Sequence, residues 1–182
     1  VTALWDKVGG PFDTLINNAG ISPKTNGVAR KVWELDANEW QQVVGVNLNG
    51  VFNLTRVCVP AMRAAGRGWI VNMASVAGKT PNAVVGIHYA ATKAAVIGFT
   101  KQSAFDLGPD GIRVNAVAPG RIDSEMVRGV SADTNADVVA MTPLGRMGRA
   151  SEVADVAVYL TSEMSSFVTG QTVDVAGGLG MS

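Results

Sequence analysis

Cysteine and histidine are almost absent from this sequence: Cys58 and His88 are the only ones in 182 residues. A single cysteine excludes an internal disulfide and points to a reducing, cytoplasmic home. Cys58 lies in the mostly apolar stretch from Phe52 to Met62 and reads as a buried core thiol. A lone histidine argues against a zinc site, and His88 reads as a surface or pocket-rim residue. Excess charge is missing too, since fifteen basic and fifteen acidic side chains cancel. That balance argues against a nucleic-acid partner or an anionic membrane surface. Apolar runs such as Val43 to Phe52 and Ala94 to Phe99 fall far short of the roughly twenty residues that span a bilayer, and no secretory signal opens the chain. Twenty-one glycines without a fixed period exclude a collagen-like repeat and mark tight turns instead.

What remains is a well-buried globular composition, 47% hydrophobic and 16% charged, which predicts one domain over residues 1–182 without a linker. Short β-prone runs alternate with helical periodicity. Strands are expected over Phe12–Asn17, Trp69–Ala74, Ile112–Val117 and Thr172–Val175. Between them Asp36 caps a helix running past Asn47 to Met62, a long helix carries Tyr89 and Lys93 to Gly108-Pro109, and Ser151-Glu152-Val153 starts another. The alternation predicts an α/β fold with a parallel sheet. Asn18, Ser75 and Pro119-Gly120 each follow a strand, and ligands of such sheets bind beyond the strands' carboxyl ends. Three separate segments thus point to one crevice.

The most informative residues are Tyr89 and Lys93 in Tyr89-Ala90-Ala91-Thr92-Lys93. Four residues apart on a helix, they share a face. A free phenol ionises near a pKa of about 10, and a neighbouring cation lowers that value toward neutrality. On its own the spacing also fits an amphipathic tyrosine beside a solvated lysine. Ser75 alone fits a turn residue or helix cap, and Asn47 alone fits an amide satisfied by a nearby carbonyl.

Together, Asn17-Asn18-Ala19-Gly20, Val46-Asn47-Leu48, Ala74-Ser75-Val76-Ala77-Gly78, Tyr89 with Lys93, and Pro119-Gly120-Arg121-Ile122 resemble the short-chain dehydrogenase/reductase family in type and order. The C-terminal stretch, with Gly145-Arg146 and Val168-Thr169-Gly170-Gln171 through Gly177-Gly178, is similar to the 3-oxoacyl-carrier-protein reductases and related sugar and alcohol dehydrogenases. The resemblance implies a doubly wound Rossmann-type sheet and a reaction that interconverts a ketone and a secondary alcohol with NAD or NADP. It implies Tyr89 as general acid/base, Lys93 as its cationic neighbour and ribose holder, Ser75 on the substrate oxygen, and Asn47 holding a water linked to the lysine. Asn18, Ala19 and Gly20 would face the adenosine side, with Pro119, Gly120, Ile122 and Ser124 near the nicotinamide. A small carbonyl or alcohol substrate, carrier-protein-linked in the nearest relatives, and a homotetramer complete the expectation. Residues Glu125 to Met141 match the family's variable lid, polar and mobile in composition, and Trp33 would edge the pocket or cover the core.

One family device is missing from the sequence. The glycine-rich turn that cradles a pyrophosphate follows a first strand, whereas Gly9-Gly10-Pro11 precedes one. The N-terminal βαβαβ half is thus expected to lie outside this chain, and with it the residue that chooses NAD or NADP. The alternative reading is a catalytically silent fragment that acts as an assembly module through the helices from Val43 to Met62 and Ala90 to Phe105.

Overall fold

The computed structural model describes residue 10, residues 12–25 and residues 27–180. Gly9 and Pro11, of the turn read before the first strand, lie outside them. Four parallel strands, β1 (Thr14–Asn17), β2 (Gly68–Met73), β3 (Ile112–Pro119) and β4 (Thr172–Val175), are hydrogen-bonded in chain order. Parallel neighbours need long crossovers, and helices supply them here. Between β1 and β2 run α1 (Ala37–Val44), a π-helical turn (Gly45–Asn49) and α2 (Gly50–Ala65). A single long helix, α3 (Ile87–Leu107), joins β2 to β3, and α4 (Glu125–Arg128), α5 (Ala132–Ala140) and α6 (Ala150–Leu160) precede β4.

Side chains alternate across a strand, so the central strands β2 and β3 each serve two cores. Ile112 and Val114 of β3 pack with Cys58, Met62 and Ala104, while Ala116 and Ala118 meet Val51 and Val96, all from α2 and α3. Val117 turns the other way and joins Val71 and Met73 of β2 against Ala157 and Leu160 of α6. Helices therefore cover both faces, which is the doubly wound arrangement expected. Cys58 lies in the first core, as read, and burial raises its thiol pKa.

Local chemistry fixes the element ends. The Asp36 carboxylate accepts from the Asn38 amide at 3.1 Å and starts α1. The expected continuous helix past Asn47 is interrupted, because residues Gly45–Asn49 form a π turn around the fully buried Asn47. Helix α6 begins at Ala150 rather than Ser151, since Glu152 reaches back to the Arg149 amide at 2.7 Å. The segment read as a variable lid contains two short helices: Ser131 caps α5 through the Thr134 amide, and Val130 and Val138 are buried as apolar anchors. Trp33 neither edges the pocket nor covers the core, for it is 79% exposed. Among the described residues no helix is long and apolar enough to cross a membrane.

Candidate active site

The carboxyl ends of β1, β2 and β3 open onto a groove of about 680 Å³. Asn18 and Gly20 reach it from beyond β1, Ser75 from beyond β2, and Tyr89 and Lys93 from the first turns of α3. Pro119, Gly120, Ile122 and Ser124 complete this side from the end of β3. Of the candidates read from the sequence, only Ala19 and Asn47 are off the wall. Ala19 is exposed beside it, and Asn47 lies behind it.

From there Asn47 shapes the wall. Its Oδ1 accepts from the Ile21 amide at 2.8 Å and its Nδ2 donates to the Ile21 carbonyl at 2.9 Å, so one side chain clamps both polar groups of the residue after Gly20. The same Nδ2 lies 3.3 Å from Thr92 Oγ1, which donates to the Tyr89 carbonyl at 2.9 Å. The π turn brings Asn47 to this position, at the cost of a weakly helical residue inside a helix.

Ser75 serves two ends. It caps the 3-10 turn Val76–Gly78 by accepting from the Ala77 amide at 3.1 Å, and its side chain stands near enough to the Tyr89 phenol to favour the phenolate. The turn lies directly on α3: a Cβ at Gly78 would stand 2.7 Å from the backbone of Lys93 and Ala94. Only glycine permits this approach. It sets the serine hydroxyl opposite the phenol.

Lys93 is buried, donates from Nζ to the Met73 carbonyl at 2.6 Å, and stands 5.5 Å from the centre of the Tyr89 ring. Burial depresses its pKa to about 8. The expectation that this cation draws the phenol downward is corrected. Burial raises the Tyr89 pKa, because a desolvated phenolate is costly, and the nearby Ser75 hydroxyl offsets only part of that rise. Tyr89 is therefore held as a protonated phenol, a donor.

His88 also departs from its reading. It is fully buried rather than at a rim, with Nε2 3.0 Å from Glu39 Oε1 of α1 and Nδ1 accepting from the Tyr89 amide. The sequence reading also missed the opposite wall, formed by Met126 and by Val153, Ala154 and Ala157 of α6. The helical periodicity after Ala150 signals an apolar face without telling what it faces. Thr92, inside the five-residue motif itself, gives no local signal of its part, because its contact with Asn47 is made across helices.

The donor set suits a hydroxyl-rich ligand. Lys93 is hydrogen-bonded to one carbonyl, and a Cβ on Gly20 would lie 3.4 Å from its Nζ and 3.5 Å from Asn47 Oδ1. Without that side chain the space before the ammonium stays open.

Residues 1–180 match the family described as Enoyl-(Acyl carrier protein) reductase. An uncharacterized short-chain type dehydrogenase/reductase of Sinorhizobium fredii is 41% identical over 172 residues, covering 93% of this chain and 66% of its own length. A 3-oxoacyl-[acyl-carrier-protein] reductase of Thermotoga maritima is 44% identical over 170 residues, 93% of this chain and 67% of the relative. Two crystal structures of 3-oxoacyl-[acyl-carrier protein] reductase from Brucella melitensis, one with bound NAD, are 62% and 59% identical, with TM-scores of 0.97 and 0.94. Each alignment covers 99% of this chain, against 67% and 66% of the Brucella chains. This chain thus spans about two thirds of the length of the curated relatives it matches. A match along nearly the whole sequence, and a backbone that superposes on these reductases, make the chain a member of the short-chain dehydrogenase/reductase family.

Proposed function

We propose that this chain carries the carbonyl-reducing site of an NAD- or NADP-dependent oxidoreductase that interconverts a ketone and a secondary alcohol, with 3-oxoacyl thioesters on acyl carrier protein as the substrate class. One observation carries the reading: the Tyr89 phenol, the Ser75 hydroxyl and the buried Lys93 amine stand together on one wall of an open groove. The nicotinamide supplies or accepts the hydride when it is bound. Lys93, Asn18 and Gly20 would hold its nucleotide portion, and Pro119, Gly120, Ile122 and Ser124 the end nearer the ketone.

Tyr89 gives its hydroxyl proton to the substrate oxygen as the alcohol forms, and takes it back in the reverse direction. Burial, which raises its pKa, keeps that proton in place until transfer. Ser75 donates to the same oxygen, stabilising the charge that develops there. Lys93 places a cation beside the phenolate left after transfer and so lowers the cost of losing the proton. Asn47 keeps the Ile21 backbone, and with it the Gly20 wall, at a fixed distance from the ammonium. A homotetramer belongs to the same proposal, supported by the exposed Phe52 on α2 and Phe105 on α3.

The direct test assays the full-length protein with acetoacetyl thioesters and each reduced nicotinamide, beside Tyr89→Phe. The variant is expected to lose turnover by about a thousandfold, within the usual range for a general acid, while its thermal unfolding is unchanged. Near-normal turnover by Tyr89→Phe would sink the assignment.

A further inference from the structure

His88 and Glu39 form a buried pair that the chemistry above does not use. The first amides of a helix have no intrahelical partner, and the side chain of the cap residue usually answers one of them. The cap of α3 is Gly86, which makes no side-chain cap bond. His88 takes over that task, because its Nδ1 accepts from the Tyr89 amide at 2.8 Å. With Nδ1 an acceptor, the ring proton belongs on Nε2, which lies 3.0 Å from Glu39 Oε1 on α1. Glu39 Oε2 in turn pairs with Arg30 at 3.0 Å, and Arg30 donates to Thr25 Oγ1 at 2.9 Å. A chain of side chains thus runs from the segment after β1, through α1, to the backbone of the tyrosine.

We infer that Glu39 and His88 are positioning residues for Tyr89, holding its amide while Thr92 holds its carbonyl, so that the phenol meets Ser75 in one orientation. The inference rests on the function proposed above for its kinetic consequence, though not for its structural one. Tyr89 lies at the first turn of a helix, where ends fray. Side-chain bonds to both of its peptide groups remove that freedom. The imidazole is 0% exposed and its carboxylate partner 15%, so water competes little for either bond. Displacement of a reacting group by about 1 Å costs a rate factor on the order of 100, which sets the scale of the effect.

The test reads hydrogen exchange at the Tyr89 amide together with steady-state kinetics in the full-length protein. Glu39→Ala is expected to speed exchange at Tyr89 and lower kcat by about tenfold to a hundredfold, with the dissociation constants for NADH and NADPH unchanged. Glu39→Gln restores both protection and kcat, because its amide oxygen still accepts from His88 Nε2–H. His88→Leu shows the same loss as Glu39→Ala, with no substitution at position 39 able to repair it. Unchanged exchange at the Tyr89 amide in Glu39→Ala and His88→Leu overturns the inference whatever the kinetics. A wild-type protein inert toward every ketone would remove the proposed function, and the exchange rates would still decide this positioning role.

Discussion

The two walls of the groove are made of different material. On one, Ser75 and Lys93 are buried, Asn47 and His88 stand behind them without solvent contact, and most of their bonds run to backbone. On the other, α4 carries Met126, 42% exposed, and α6 presents Ala154 and Val158, both exposed. Arg121 ties the second wall together through Asn135, with Nε 2.9 Å from its amide oxygen. The contrast follows from the tasks. A group that moves a proton must be placed to a fraction of an ångström, which interior packing and backbone bonds provide. A surface that selects among substrates gains from exposed side chains that change without disturbing the core.

Substitutions on the buried wall are expected to break the contrast most sharply. Lys93→Met removes the cation beside the phenol and lowers kcat by about a hundredfold, on the scale of losing one electrostatic donor. The same variant changes the pH dependence of stability. Folding holds Lys93 at about 8, below its ordinary 10.5, so between those values the unfolded chain binds a proton that the folded chain has released. Stability of the wild type therefore rises with pH from about 8 to about 10.5, and Lys93→Met flattens that rise in urea titrations. A wild-type curve that falls through this window would contradict the burial of a depressed ammonium.

Next in size, Asn47→Ala strips partners from the amide and the carbonyl of Ile21. Two half-buried backbone groups left open cost about 2 kcal/mol, read as a shift in urea midpoint, and kcat falls with the loosened Gly20 wall. Met126→Ala on the opposite wall sharpens the comparison from the other side. Its expected signature is a KM rise of up to about tenfold for long acyl substrates, with a stability change below about 1 kcal/mol because the side chain is half open to solvent. The smallest effect belongs to Arg146→Ala. Arg146 holds the Glu152 carboxyl down at about 2 from its usual 4.5, and that contribution is present above pH 4.5 and lost as the pH falls toward 2. The variant should show a slightly higher acid-unfolding midpoint by circular dichroism and unchanged kinetics at neutral pH.

Much of this was legible before any coordinates. The strands from Ile112 and from Thr172 are short β-branched runs stopped by proline or glycine, and such runs have few other uses. The Tyr89 to Lys93 spacing fixes a shared helix face whatever surrounds it. Other features escaped because they depend on partners distant in sequence. His88 reads as polar and adjacent to a helix start, so it was placed at the surface; Glu39, 49 residues away, makes its burial tolerable. The sign of the Tyr89 shift was misread for a related reason. Sequence supplies the nearby lysine, but only packing supplies the desolvation that raises the phenol.

The sequence by itself determined the alternation of strand and helix, the parallel sheet with helices on both faces, and the residue types that arrive at the strand ends, because periodicity and turn chemistry are local. Tertiary structure decided the rest. It made Asn47 a clamp on Ile21 through a π turn, folded the lid segment into the short helices α4 and α5, and buried His88 between α1 and the tyrosine amide. The physical reason is that hydrogen-bond partners and desolvation are set by which surfaces meet across the fold, and no local window of sequence contains both.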